Sequence, residues 1–258
     1  AAIYIVAGGL SFLPDRYDPW ATRAQMLAAA VTIPLILVIA LGLSDATATN
    51  VTNLLDESLV LATPIALGAM TGLWSERSGI INIGIEGTML GSAGVGFMVF
   101  ATLGEASSTG WLWVAILVSI ITGGLLSLLL AVLAIQYGIN QIVAGVVINL
   151  FALGLTGFLR SEVIVPSGNS KGISTSEIGI PLLEQIPILG ETLFQGKPIH
   201  YIMYVVVFLT WLVMFRSAWG LRVRSCGEDP HAAETLGINV IKTRYRSVVL
   251  GGCIAGLG

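Results

Sequence analysis

The stretch SERSGIINIGIEGTMLG (75–91) places Glu76, Arg77, Ser78, Asn82 and Glu86 inside an otherwise apolar chain. An ionisable group within a bilayer costs at least a few kcal/mol, so it pairs with a partner or faces a water-filled path. If the segment is helical, the spacing of four puts Asn82 and Glu86 on one face. Gly84, Gly87 and Gly91 would let another helix or a solute come close, and Gly87–Gly91 has the GxxxG spacing. Two readings stand for Glu86: it lines a path, or it pairs with Arg77 or a neighbouring helix and only fixes packing. Asn140, Gln141 and Asn149 form a second polar group, with Gln141 and Asn149 eight residues apart and roughly on one face. For these three, hydrogen bonding between helices is favoured over solute contact.

A different chemistry is written at GEDPHAAETLGI (227–238). Asp229 reads as an N-cap, Pro230 as the first helical residue and Gly237 as the stop, so one short helix is expected. Its small residues and basic flanks suit a groove on a partner protein. The competing reading, a helix lying on lipid, lacks large apolar anchors. Catalysis finds no support. The two histidines, His200 and His231, stand apart from any Ser or carboxylate constellation within a span. Cys226 and His231 lie five residues apart with no second ligand pair, so no metal site is expected. A phosphate-binding loop is also missing: the nearest match, Gly190 to Lys197, has the wrong spacing and is followed by Pro198.

These groups must be held by membrane-spanning elements. Hydrophobic residues make up 55% of the 258 and charged residues 10%, with a mean hydropathy of +0.89, far from the soluble class. Apolar runs of spanning length recur at Ala24–Leu43, Leu54–Leu73, Ile80–Leu103, Trp111–Ile135, Ile142–Leu159 and His200–Phe215. Partial runs lie at Ala1–Leu13 and from Ser247 onward. The expected fold is therefore an all-α polytopic transmembrane bundle of six complete and two partial spans. It reads as a single domain, 1–258, cut at both ends. Arg216, Arg222, Arg224, Lys242, Arg244 and Arg246 form the densest positive cluster, which places residues 220–246 in the cytoplasm as a loop. By parity, 160–198 is an extracytoplasmic loop, expected to be an ordered cap with a short surface helix. The net charge of −3, without a basic stripe beyond the short loops, gives no support for nucleic-acid binding. Composition and spacing reach a transporter-like protein. One form is an ion-gradient-driven secondary transporter or channel for a small polar solute, with Glu86 carrying the proton or cation.

Two long motifs sharpen this. GLWSERSGIINIGIEGTMLGSAG (72–94) and SCGEDPHAAETLGINVIKTRYRSVVLGGCIAGLG (225–258) resemble permeases of the branched-chain amino acid and simple-sugar ABC importer superfamily, the first being most similar to the nucleoside-type branch. The resemblance spans most of 54–258. It implies a permease subunit that carries nucleosides or related sugar-bearing solutes inward across a prokaryotic cytoplasmic (inner) membrane, multi-pass and without enzymatic activity of its own. It implies a second permease chain, identical or related, a cytoplasmic ABC ATPase, and an extracytoplasmic solute-binding protein or lipoprotein. ATP and Mg would belong to the ATPase, leaving this chain no cofactor. Glu76, Arg77, Ser78, Asn82 and Glu86 would border the pathway, with Gln141 and Asn149 as further candidates. Gly227, Glu228, Asp229, Pro230, Ala232, Ala233, Gly237 and Ile238 would couple to the ATPase. The family's usual Glu-Asn-Pro reads Glu228-Asp229-Pro230 here, a mild change because Asp caps a helix as well as Asn does.

Overall fold

The computed structural model describes residues 51–103, 109–167, 178–179 and 195–258. The expected runs Ala1–Leu13 and Ala24–Leu43, and most of the 160–198 loop with its surface helix, lie outside the described residues. Among the described residues, five helices are long and apolar enough to cross a membrane: α1 (Val51–Glu76), α2 (Ile85–Leu103), α3 (Thr109–Ala131), α4 (Gln141–Leu159) and α5 (Pro198–Arg216). Three more follow: α6 (Ala218–Glu228), α7 (Pro230–Thr235) and α8 (Val240–Ala255). A two-residue antiparallel ladder, β1 (Ile178–Gly179) with β2 (Gln195–Gly196), pairs Ile178 with Gly196 and Gly179 with Gln195. The fold is an all-α multi-pass membrane bundle.

Several boundaries differ from expectation. The run Ile80–Leu103 is not one helix, because α2 begins only at Ile85. Asn82 therefore stands outside the helix and does not share a helical face with Glu86. Past Leu159, α4 continues through a π-helical turn, Arg160–Ile164, giving a 24-residue apolar span. The helix thus runs on into the expected 160–198 segment as far as Ile164. A second π-turn, Val132–Gln136, extends α3.

Residues 220–246 are also not a loop. Gly227 and Glu228 close α6, only Pro230–Thr235 forms the short helix, and α8 starts at Val240 rather than near Ser247. Capping explains these limits. The Ser217 hydroxyl accepts the Gly220 N–H at 3.1 Å, so the chain turns from α5 into α6 with no intervening loop. Gly220 fits that corner because a Cβ there would collide with the Val213 and Met214 carbonyls. Asn239 Oδ1 accepts the Lys242 N–H at 2.9 Å and so starts α8.

Lipid tails are as apolar as leucine, so helices in a bilayer associate through close packing and polar contacts rather than hydrophobic burial. The packing shows this. α2 lies against α3 and α4, and α8 lies against α3. A Cβ on Gly123 would fall 2.8 Å from Gly256 N, and one on Gly256 would fall 2.8 Å from Ile120 Cα. α8 also meets α1, where the buried Thr71 hydroxyl donates to Gly251 O at 2.9 Å. Around these seams, Ile80, Leu130, Ala131, Ala144, Ile148 and Val248 form one buried cluster. Trp74, Met214 and Val223 form another. Trp74 Nε1 donates to Thr210 Oγ1 at 3.3 Å, and its ring stacks on Trp219 at 5.0 Å.

Candidate functional site

The site is a break in the membrane-spanning chain between α1 and α2. At its start, Gly79 adopts φ +86°, open to glycine at no steric cost. Gly79 N–H then donates to Glu76 O at 2.9 Å and Ile80 N–H to Ser75 O at 3.2 Å, the paired bonds of a Schellman stop. Ile80 follows as the buried apolar residue of that motif, 2% exposed. From Arg77 to Gly84 the backbone makes no helix, although unpaired amides cannot be left in lipid.

Neighbouring side chains supply the missing partners. Gln141 Oε1 accepts the Ile81 N–H at 2.7 Å. Asn149 Nδ2 donates to Ile83 O at 3.1 Å, while Asn149 Oδ1 accepts the Gly87 N–H at 2.8 Å. Asn82 Oδ1 accepts the Gly84 N–H at 3.0 Å. An N-cap side chain ordinarily satisfies the N2 or N3 amide of its own helix. Gly84, at the N-cap position of α2, has no side chain to do so. Asn149 therefore caps α2 from α4.

Close packing explains the glycine. A Cβ on Gly145 would lie 2.8 Å from Gly84 N, and a Cβ on Gly87 would lie 2.6 Å from Asn149 Cα. Gly91 and Gly94 continue the seam against Ala152 and Thr156. The close approach foreseen for Gly84, Gly87 and Gly91 is thus made by α4.

The sequence-predicted residues divide into engaged and open groups. Ser78 is buried and its hydroxyl donates to Ser75 O at 2.7 Å. Gln141 and Asn149 are joined to the break, whereas Asn140 caps α4 by accepting the Ile142 N–H at 2.9 Å. Glu76, Arg77 and Glu86 are exposed. Glu86 sits in the first turn of α2, where the helix dipole favours a carboxylate. Asn82 is 3% exposed, and its Nδ2 has no hydrogen-bond partner. Ile81, Ile83 and Leu90 are exposed beside Glu86, so the break opens onto an uncovered face.

The second predicted group lies on α6 to α8. Asp229 Oδ1 accepts the His231 and Ala232 amides at 3.0 and 3.1 Å, and Pro230 takes the first helical position. Gly237, φ +78°, ends α7 with a second Schellman stop: Gly237 N–H to Glu234 O at 2.9 Å, Ile238 N–H to Ala233 O at 3.1 Å. Ala233, one of the expected coupling residues, faces inward. It is 1% exposed and packs with Cys226 and Val240. Burial pushes the Cys226 thiol above its ordinary value. The hydrogen bond with Thr243 and the Arg244 charge pull the other way without overcoming it.

Sequence reasoning missed the residue that joins the two groups. Arg244 reaches from α8 and donates through Nε to Ser78 O at 3.0 Å and through Nη2 to Cys226 O at 3.4 Å. It therefore serves the ends of α1 and α6 together, where a cation meets the carbonyl pole of each helix. Gly227 touches the Arg77 carbonyl directly, leaving no room for a side chain. In the sequence Arg244 was one cation in a cluster that spoke only for orientation.

Residues 54–258 match the family described as branched-chain amino acid transport system / permease component. The chain is 37% identical over 203 residues to the guanosine ABC transporter permease protein NupQ of Bacillus subtilis, covering 78% of this chain and 64% of that one. It is 37% identical over 219 residues to the nucleoside ABC transporter permease protein NupC of Lactococcus lactis, covering 81% and 68%. It is 36% identical over 204 residues to the putative glucose ABC transporter permease protein TsgC13 of Haloferax volcanii, covering 79% and 60%. The chain thus spans about two thirds or less of the length of these relatives. No solved structure matches it.

Proposed function

We propose that this chain, which belongs to the branched-chain amino acid transport system / permease component family, is a permease subunit of an ATP-driven importer for nucleosides or related sugar-bearing solutes. The solute class is supported by relatives named for guanosine and for nucleosides, with a putative glucose permease widening it to sugars. A second permease chain pairs with this one, and the exposed face of Ile81, Ile83, Glu86 and Leu90 borders the path between them. Two cytoplasmic ATPases hold the ATP and Mg, and an extracytoplasmic binding protein delivers the solute.

The observation that carries the reading is the Arg244 link. ATPase closure moves α7, which is packed through Ala233 onto Cys226 and Val240. Arg244 and Gly227 pass that motion to residues 77–79, and the break, clasped by Gln141 and Asn149, shifts with α4. Arg244→Gln in the assembled, full-length complex tests it. A charge-assisted hydrogen bond contributes about 1.5–3 kcal/mol, so uptake is expected to fall about tenfold or more while ATP hydrolysis continues. Unchanged uptake per ATP in a complex that assembles normally would refute the link.

One observation favours a gradient-driven reading: Glu86 is exposed and has no ion-pair partner among the described residues. That reading requires uptake to survive without an active ATPase and to collapse when the proton gradient is dissipated. Uptake that follows ATPase activity alone excludes it.

A further inference from the structure

A cleft opens between α6 and α8, apart from the α1–α2 break and bordered on one side by Gly237 and Ile238 of the second group. It has two chambers. The larger, about 580 Å³, is lined by Arg222, Lys242 and Arg246 together with polar and apolar residues of α6 and the α7–α8 turn. The adjoining chamber, about 500 Å³, is lined by Trp219, Tyr245, Arg246, Val249 and Leu250. Trp219 and Arg246 belong to both, so one cleft runs from a basic end to an apolar end.

The basic end holds more positive charge than the fold uses. Neither chamber has an Asp or Glu in its lining. The other polar groups there are already committed: Ser225 Oγ donates to Leu221 O, Thr243 Oγ1 donates to Asn239 O, and Asn239 Oδ1 caps α8. Arg222, Lys242 and Arg246 are exposed and have no ion-pair partner among the described residues. Their neighbours behave differently, with Arg216 lying over Trp211 and Arg224 over Phe215. Three free cations around one cavity present a site for an anion.

The apolar end says what kind of anion. α5 is the last long apolar span before the cleft and ends at Arg216, with α6 starting two residues later. α8 changes at Arg246 from basic to apolar sequence. The cleft therefore lies at the height where a bilayer passes from headgroup to acyl chain. Trp219, an aromatic suited to that level, is held in place by its stack on Trp74. A free phosphate would fill only the basic chamber, and the surface of a soluble subunit would leave the apolar one empty.

We propose that this cleft binds an anionic phospholipid, its phosphate on Arg222, Lys242 and Arg246 and an acyl chain against Trp219, Val249 and Leu250. The energetic reason is general: each basic side chain near an anionic headgroup contributes enough for about a fivefold change in affinity.

The test is a lipid titration of the full-length complex, purified in mild detergent, followed by native mass spectrometry. Phosphatidylglycerol is expected to stay bound where phosphatidylcholine does not. The triple variant R222Q/K242Q/R246Q is expected to lose phosphatidylglycerol affinity by roughly a hundredfold. The charge-preserving R222K/K242R/R246K retains it. Should the triple variant fail to fold, R246Q alone is expected to lose about fivefold. Three results would overturn the assignment. One is equal phosphatidylglycerol binding by the parent and the neutralised variant. Another is soluble glycerophosphate binding as tightly as the lipid. The third is shielding of Lys242 from amine-reactive label by the ATPase in the delipidated complex, which would make the cleft a protein interface.

Discussion

Asn149→Leu replaces the side chain that caps α2 from α4 with one of nearly equal size and no polar atoms. The amide it loses is part-buried and the Gly87 N–H it accepted is fixed by the helix, with no freedom to turn toward another partner. The Ile83 carbonyl loses its donor at the same time. Interhelical polar contacts in membranes average about 0.6 kcal/mol, because side chains released from one partner find another. Here the part-buried Gly87 amide takes the penalty for an unpaired buried group, about 1–3 kcal/mol, and the exposed Ile83 carbonyl adds only about the average 0.6 kcal/mol. The sum is roughly 2–4 kcal/mol, or about 4–16 °C in Tm for a chain of this size. Thermal unfolding of the full-length protein in detergent, read by intrinsic tryptophan fluorescence, measures it. Asn149→Asp keeps the acceptor and loses the donor, so it should fall between parent and leucine variant. If Asn149→Leu melts within about 2 °C of the parent, the cap across helices is not holding the break.

Gly145→Val would push a Cβ toward Gly84 N, 2.8 Å away, and toward Ile83 C, 3.1 Å away. Both neighbours are backbone and cannot yield, so overpacking should cost about 3 kcal/mol or more. A sharp drop in monodisperse protein on size exclusion is expected, and a parental yield would contradict the packing. Cys226 gives a pH dependence. Because the folded thiol holds its proton more tightly than the unfolded one, its contribution to stability is complete below the ordinary thiol value of 9.0 and is lost as pH climbs through the raised folded value. Comparing alkaline denaturation of the parent with Cys226→Ala checks this: the variant should lose less stability on going alkaline, and identical slopes would remove Cys226 from the account.

Much of the architecture was legible because it depends on local signals. Apolar run length located the described spans to within a few residues. Asp229-Pro230 and Gly237 announced the limits of α7, since a cap, a first-turn proline and a left-handed stop act within one turn. The start of α2 was misplaced for an equally local reason. Ile80 and Ile81 extend the apolar run, whereas Gly79 followed by Ile80 is the signature of a helix stop, the same Gly-Ile pair that ends α7 at Gly237-Ile238. That signal was present and unread. The role of Arg244 could not be read, because Ser78 is 166 residues away in sequence. Nothing local distinguishes Arg244 from Arg246, which has no such partner.

The polar inventory of the 75–91 motif looks like a binding site in sequence, yet most of it is occupied in holding a non-helical backbone within an apolar surrounding. Ser78 bonds back to α1, Asn82 Oδ1 closes its own turn, and Gln141 and Asn149 answer amides and a carbonyl that no helix satisfies. A side chain whose hydrogen-bonding capacity is met by backbone has little left for a passing solute. What stays open is the Glu86 carboxylate and the exposed Glu76 and Arg77 at the end of α1, while Asn82 Nδ2 is unpartnered but buried. Under the proposed function, contact between this motif and a sugar hydroxyl or nucleobase falls to the exposed charged groups Glu76, Arg77 and Glu86. Glu86→Gln, which keeps the shape and removes only the charge, should change solute preference more than protein yield, while Asn149→Leu should do the reverse. Equal effects of both variants on yield and on uptake would mean that holding the break and contacting the solute are not separable.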